Sequence, residues 1–388
     1  METKNYRIED LSTLGGTHRS NQIISHQNQE IALGEINFTL ADVIKTIPPE
    51  CFHKNPRKAW TGALISFLLI VLGYCGMAIL PWYWLPLVWI WTGIALTGFF
   101  MLGHDCGHYT FAKKPWVNDL AGHLFMTPVF YPFYNWRIQH NCHHAHTNKL
   151  GGEGLKQLED ISNGKADPYW HPFRVELYES LPPKTRWIYQ KLKGGFWWLI
   201  TILGWWYQIT LDTSKLSTKD RSKVKLSIAI SLAFAGIVLP TLVLTTGIWG
   251  LIKFWLAPWL MFHFWFSTIT LLHHTSPETI WKENTEWNAV QAQLWGTTQC
   301  NYPRWFEFFC HDINYHIPHH VSAAIPFYNL RLAHQSLQQN WKPFIREVNF
   351  SWSLIKQIIS QCHLYNATEK RYQSVKEVQQ QSSVKHLT

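Results

Sequence analysis

The chain has 388 residues and a formal net charge of +9, and it is rich in Trp (23) and His (21). Its basic residues form no stripe with spaced aromatics, which argues against nucleic acid and favours anionic lipid or an acidic protein partner. The seven cysteines are irregularly spaced with no CxxC, so no disulfide framework is expected and a reducing compartment suits the chain.

Residues 1–40 carry no apolar signal-peptide core and read as a polar tail, as do residues 366–388; residues 41–365 between them read as one domain. From Ala59 to Gly103 there is no Asp, Glu, Lys or Arg. A membrane helix needs about 20 residues, so this block fits two spans, about 60–80 and 84–103. Pro81 and Pro86 in "LPWYWLP" break helix continuity and place the turn. The region 116–133 contains Asn118, Asp119, His123 and two prolines, and reads as interfacial or re-entrant. "FWWLITILGWWYQITL" (196–211) is short and Trp-rich, which suits a helix lying in the interface.

A second apolar block, Leu226 to Leu272, is interrupted only by Lys253 and fits spans at about 226–246 and 251–272, with the turn at "TTGIWG". Lys54, Arg57 and Lys58 precede the first hairpin, Lys113 and Lys114 follow it, and Arg221, Lys223 and Lys225 precede the second. This bias places the open ends of both hairpins, and both termini, on the cytoplasmic side. The expected fold is therefore an all-α integral membrane protein: four transmembrane helices as two hairpins, interfacial helices, and a cytoplasmic helical cap.

Three histidine clusters lie at the open ends: His104 and His108 in "HDCGH"; His140, His143, His144 and His146 in "HNCHHAHTN"; His311, His316, His319 and His320 in "HDINYHIPHH". The pair His273 and His274 ends the fourth span. Positions i, i+3 and i+4 share one helix face, so His104/His108, His140/His143/His144 and His316/His319/His320 each form a ligand stripe. Pro318 is compatible if that helix starts near His316. One isolated pair is ordinarily solvated or packed in a core, but three clusters on one side of a membrane serve no packing purpose. Neutral imidazole is the commonest protein metal ligand. Eight or nine histidines exceed the three or four that one ion needs, which implies two ions. Imidazole alone leaves the metal open, yet a nearly all-histidine dinuclear site beside lipid points to O2 activation on iron and a hydrocarbon substrate. Asp105 and Asp312 are candidate acceptors for imidazole N–H groups, and His146 and His273 are candidate supporting residues. His263 lies deep in a span as a core or tunnel residue. His123, His311 and His334 carry weaker signals, and His18 and His26 none.

These residues resemble the membrane fatty-acid desaturases, in particular the acyl-lipid Δ12 type of cyanobacteria and plastids. The likeness rests on "GHDCGH", "FAKKPWVNDLAGH", "HNCHHAHTNK", "HFWFSTITLLHHT" and "CHDINYHIPHHVSAAIPFYNLRLAH", and extends over roughly residues 40–365. It implies a non-haem di-iron centre that uses O2 and two electrons to form a cis double bond at C12–C13 of lipid-bound oleoyl chains, giving linoleoyl chains. Reduced ferredoxin is the implied donor, with the basic face as its dock. By motif position, His104, His108, His140, His143, His144, His316, His319 and His320 are the implied ligands. His274 is the better ninth, with His273 the alternative. A desaturase of other regioselectivity (omega-3) or a di-iron lipid hydroxylase would share this ligand set. A membrane metal transporter would instead place histidines or acids within the spans.

Overall fold

A computed structural model describes residues 38–211 and 213–385. The expected tail 1–40 falls almost entirely outside the described residues, as do His18 and His26. Helix α1, Pro56–Ile79, starts as its sequence dictates: the Asn55 side chain accepts the Lys58 N–H (3.2 Å) and Pro56 occupies the first turn. It ends at Leu80, before Pro81. A short turn, Trp82–Trp84, leads into α2, Leu85–Gly107, where Pro86 again sits in the first turn. Helices α1 and α2 pack against each other. Farther along α2, a Cβ on Gly93 would strike Met261 and one on Gly98 would strike the Phe309 carbonyl. Glycine at both positions lets α2 approach two other backbones closely.

Helix α3, Pro115–Met126, occupies most of the segment 116–133 expected to be interfacial or re-entrant, and α4, Phe133–His146, begins where that segment ends. Phe130, in the left-handed region at φ 63°, turns the chain between them. Helix α5, Ile200–Ile209, occupies the Trp-rich stretch and packs against the last apolar helix, where the Thr201 hydroxyl meets both His263 Nδ1 (2.9 Å) and Ser267 Oγ (2.7 Å).

The second apolar block begins with α6, Thr218–Leu251, capped by Ser217, and continues through a π-helical turn, Ile252–Leu256, into α7, Ala257–His274. Helical dihedrals persist except at Gly247 (φ 70°, ψ −176°), inside the expected turn "TTGIWG". The chain nevertheless doubles back there. Phe234 and Trp255 both pack on the Phe130 ring, at 5.7 and 5.0 Å, whereas residues 21 apart on a straight helix would lie about 31 Å apart. Among the described residues, three helical runs are long and apolar enough to cross a membrane: Pro56–Ile79, Trp82–Gly107 and Thr218–His274.

Two small parallel pairings tie distant segments together. Strand β1, Phe173–Arg174, pairs with β4, Leu364–Asn366, and β2, Gln299–Asn301, pairs with β3, Glu347–Asn349. Strand β5, Arg371–Gln373, then runs antiparallel to β4, and a helix over Val375–Lys385 follows. The segment expected as a polar tail from 366 is thus folded over most of its length. A few apolar positions anchor it: Tyr365 and Tyr372 are buried and accept the Trp281 backbone and indole N–H (3.0 and 2.9 Å), and Val375 and Val378 are buried beside Leu364. The seven cysteines are free thiols.

Candidate metal centre

The ends of four helices converge. Helix α2 brings His104 in its last turn and His108 at its C-cap; α4 brings His140, His143 and His144; α7 ends on His274. The fourth is α8, His316–Val321, which begins at His316 and so keeps Pro318 within its first turn. The histidines gather into two adjacent groups. In one, ligand nitrogens of His104, His108, His140, His144 and His319 all lie within 4.8 Å of one another; in the other, those of His143, His274 and His320 do. His316 joins the second group, its Nε2 2.8 Å from that of His274. The groups abut where His144 and His320 stack, ring centroids 4.3 Å apart.

Hydrogen bonding alone does not satisfy this arrangement. His140 Nε2 faces Nε2 of both His104 and His144 at 3.0 Å, and His144 Nε2 also faces that of His319 at 3.0 Å. A neutral imidazole nitrogen is either one donor or one acceptor, so these contacts cannot all be hydrogen bonds. Two nitrogens about 2.1 Å from one ion and at right angles to each other lie about 3.0 Å apart, so the observed spacing is one at which these nitrogens could share a cation. His108 Nε2, His143 Nε2 and His320 Nε2 are buried without a partner among the described residues. Burial first, and neighbouring imidazoles second, hold His140, His144, His316, His319 and His320 well below the usual histidine range. They are therefore neutral, the ligating form. The donor set suits a late first-row divalent metal or iron, and the residues fit two ions.

Supporting contacts set the tautomers. His143 Nδ1 donates to Asp167 Oδ1 (2.7 Å), and His320 Nδ1 to Gln293 Oε1 (2.8 Å), leaving each Nε2 facing its group. Gln293 reaches back through its amide to the His144 carbonyl. Neither Asp167 nor Gln293 was singled out in the sequence, because both lie far along the chain from any histidine cluster. The only signal is a lone acid in "KADPYW" and a glutamine in a polar run. Trp136 stacks on His140 at 4.4 Å, one helical turn earlier on α4.

The other candidates lie as follows. Asp105 Oδ2 accepts the Phe327 N–H (2.9 Å), and its Oδ1 is 3.6 Å from His104 Nδ1. Asp312 pairs with Arg331 at 2.7 Å instead of with an imidazole of the groups, because the left-handed turn at His311 and Asp312 directs it there. His146 Nδ1 donates within its own helix to the Cys142 carbonyl (3.1 Å). His273 stacks on His316 at 4.2 Å, and of the pair His273/His274 only His274 lies in the group with His143 and His320. His263 is buried among Trp259, Phe262 and Tyr131. His123 is held by Ser227, His311 by Ser66 and His334 by Glu347.

The chain also has clear relatives. The fatty acid desaturase family model matches residues 81–352. An sn-1 oleoyl-lipid 12-desaturase of Synechocystis is 51% identical over 84% of this chain and 89% of its own length. The enzyme of that name from Anabaena variabilis is 49% identical over 92% of this chain and 97% of its own. A chloroplastic omega-6 fatty acid desaturase of Glycine max is 44% identical over 84% of this chain and 74% of its own. A histidine-rich centre at the ends of apolar helices and a family match over most of the chain lead to one conclusion: this protein is a member of the fatty acid desaturase family, and an oxidoreductase.

Proposed function

We propose that the chain is an acyl-lipid Δ12 desaturase that forms a cis double bond at C12–C13 of lipid-bound oleoyl chains, giving linoleoyl chains. The observation that carries this reading is the gathering of nine imidazoles into two adjacent groups beside apolar helices, in a chain about half identical to oleoyl-lipid 12-desaturases. The nine ligands are His104, His108, His140, His144 and His319 for one iron, and His143, His274, His316 and His320 for the other. A non-haem iron pair held there would supply O2 activation: two hydrogens from neighbouring methylenes, together with two electrons from the donor and two protons, would reduce O2 to two waters.

The chain's own residues bind and orient. Asp167 and Gln293 fix the Nδ1–H tautomers of His143 and His320, so that each presents a lone pair on Nε2. Phe100 lies one turn before His104 and meets Tyr131, Trp136 and Phe266 at ring distances of 5.0, 5.6 and 4.7 Å. These rings form a dry wall beside the imidazoles, against which an acyl chain lies while water is excluded. Regiochemistry then depends on how deep the chain runs before it meets the centre.

Four spans in two hairpins, turning at Leu80–Trp84 and Gly247, put the histidines and both termini on the cytoplasmic side, by the Lys and Arg bias at the open ends. Reduced ferredoxin docking on that basic face is the electron source. The test is expression in a host that makes oleoyl but no linoleoyl lipids, with fatty-acid profiling by mass spectrometry. Linoleoyl chains are expected. A hydroxylated chain would make the enzyme a hydroxylase, and an unchanged profile would refute the reading.

A further inference from the structure

A second site lies outside the histidine centre. A cleft of about 400 Å³ opens beside the start of α1, with Arg57, Lys58, Thr61 and Gly62 on one wall and His311 and Phe327 on the other. We propose that this cleft binds the anionic headgroup of a membrane glycerolipid, with Arg57 and Lys58 as its anion-binding side chains. The identification of that lipid as a substrate rests on the desaturase reading above; the binding itself does not.

The chemistry is graded along one helix face. Positions 57, 58, 61, 62 and 65 share one side of α1, so the cleft runs from two cations through a hydroxyl to apolar Ile65 and Phe308. Trp60, Leu64 and Phe67 beside it are exposed, which places the cleft against lipid rather than water. Arg57 and Lys58 are themselves exposed, and neither forms an ion pair among the described residues; Lys58 Nζ sits 5.5 Å from the Tyr328 ring centre. Asp312, the carboxylate in the lining, is already paired with Arg331 at 2.7 Å. The cleft therefore presents net positive charge at headgroup level, and a headgroup phosphate or sulfonate complements it. Gly62 keeps the passage narrow, because a Cβ there would press on the Phe327 ring at 2.7 Å. The cleft floor also connects to the centre: the Phe327 N–H donates to Asp105 Oδ2 at 2.9 Å, and Asp105 neighbours His104. Phe327 and Asp105 alone thus stand between a headgroup held in this cleft and His104, a proposed ligand.

The test uses the full-length protein in neutral detergent, with short-chain phosphatidylglycerol, short-chain monogalactosyldiacylglycerol and inorganic phosphate as probes, and tryptophan fluorescence as readout. Phosphatidylglycerol is expected to bind about tenfold or more tighter than the galactolipid, and Arg57→Gln/Lys58→Gln to abolish that preference. The charge-preserving swap Arg57→Lys/Lys58→Arg and the distant Lys113→Gln/Lys114→Gln should both retain it. Equal affinity for the two lipids, wild-type binding by Arg57→Gln/Lys58→Gln, loss of the preference in Lys113→Gln/Lys114→Gln, or displacement by inorganic phosphate as effective as by the lipid would overturn the proposal. Binding is read without turnover, so a failure of the desaturase reading would leave this result standing, and the reverse.

Discussion

Replacing Asp167 with Ala isolates the support beneath one metal group. The carboxylate is 1% exposed and accepts three hydrogen bonds: His143 Nδ1 (2.7 Å) and the Tyr169 N–H (2.9 Å) on Oδ1, and the Asn148 N–H (2.8 Å) on Oδ2. The alanine variant leaves three donors without this partner, and the two that are buried, on His143 and Asn148, cost about 1–3 kcal/mol each before any repacking. It also frees His143 to rotate and to place its proton on Nε2, where it no longer ligates. Loss of such a carboxylate behind a metal-bound histidine typically lowers metal affinity 10–100-fold. Asp167→Asn is milder, because its amide oxygen serves one side while its NH2 faces a donor on the other. The assay is metal content by mass spectrometry after dialysis against graded chelator. Asp167→Ala is expected to lose about one of two ions at 10–100-fold lower chelator than the wild type, with Asp167→Asn between them. Equal retention in all three proteins would refute the argument that this carboxylate orients a ligand.

Four further outcomes are expected. His104→Ala and His319→Ala should abolish linoleoyl product while the protein still inserts in membranes; retained product would remove that residue from the ligand set. In metal-free protein the buried His140, His144, His316, His319 and His320, held well below the usual histidine range, resist protonation that the unfolded chain accepts. Below the unfolded value of about 6.5 the unfolded state therefore binds more protons, and stability should fall with pH by up to about 1.4 kcal/mol per histidine per unit, with no such loss above it. A thermal-unfolding midpoint that is flat between pH 5 and 8 would contradict this. Gly98→Ala drives a methyl into the Phe309 carbonyl, so thermal stability in detergent should drop by about 1–3 kcal/mol, and an unchanged midpoint would show that the helices can separate. Deleting residues 367–388 removes buried Tyr372, Val375 and Val378, each worth about 1.5–3 kcal/mol of burial, so the truncated protein should lose folded yield; a silent deletion would mean that this segment contributes no packing.

Much of the site was readable because its signals are local. Helical spacing of 3 and 4 put His140, His143 and His144 on one face, and Pro318 was compatible with a ligand stripe only where it lies, in a first turn. The uncharged runs likewise gave the apolar blocks, and paired prolines or a Gly in "TTGIWG" gave the turns. Asp167, Gln293 and Arg331 were not legible, because each acts on a residue 19 or more positions away in sequence. Asp312 illustrates the same limit: adjacent to a histidine in the chain, it is turned by a left-handed backbone toward an arginine. The C-terminal segment looked like a tail because its few buried side chains are diluted by Gln, Ser and Lys, and short strands need partners that the local pattern does not reveal.

Anomalous diffraction from crystals of the protein, purified with its native metal and measured at the iron edge, tests most directly whether the nine histidines hold two irons. Two peaks are expected, one among His104, His108, His140, His144 and His319, the other among His143, His274, His316 and His320. A single peak, or an absorption edge belonging to another metal, would contradict the account.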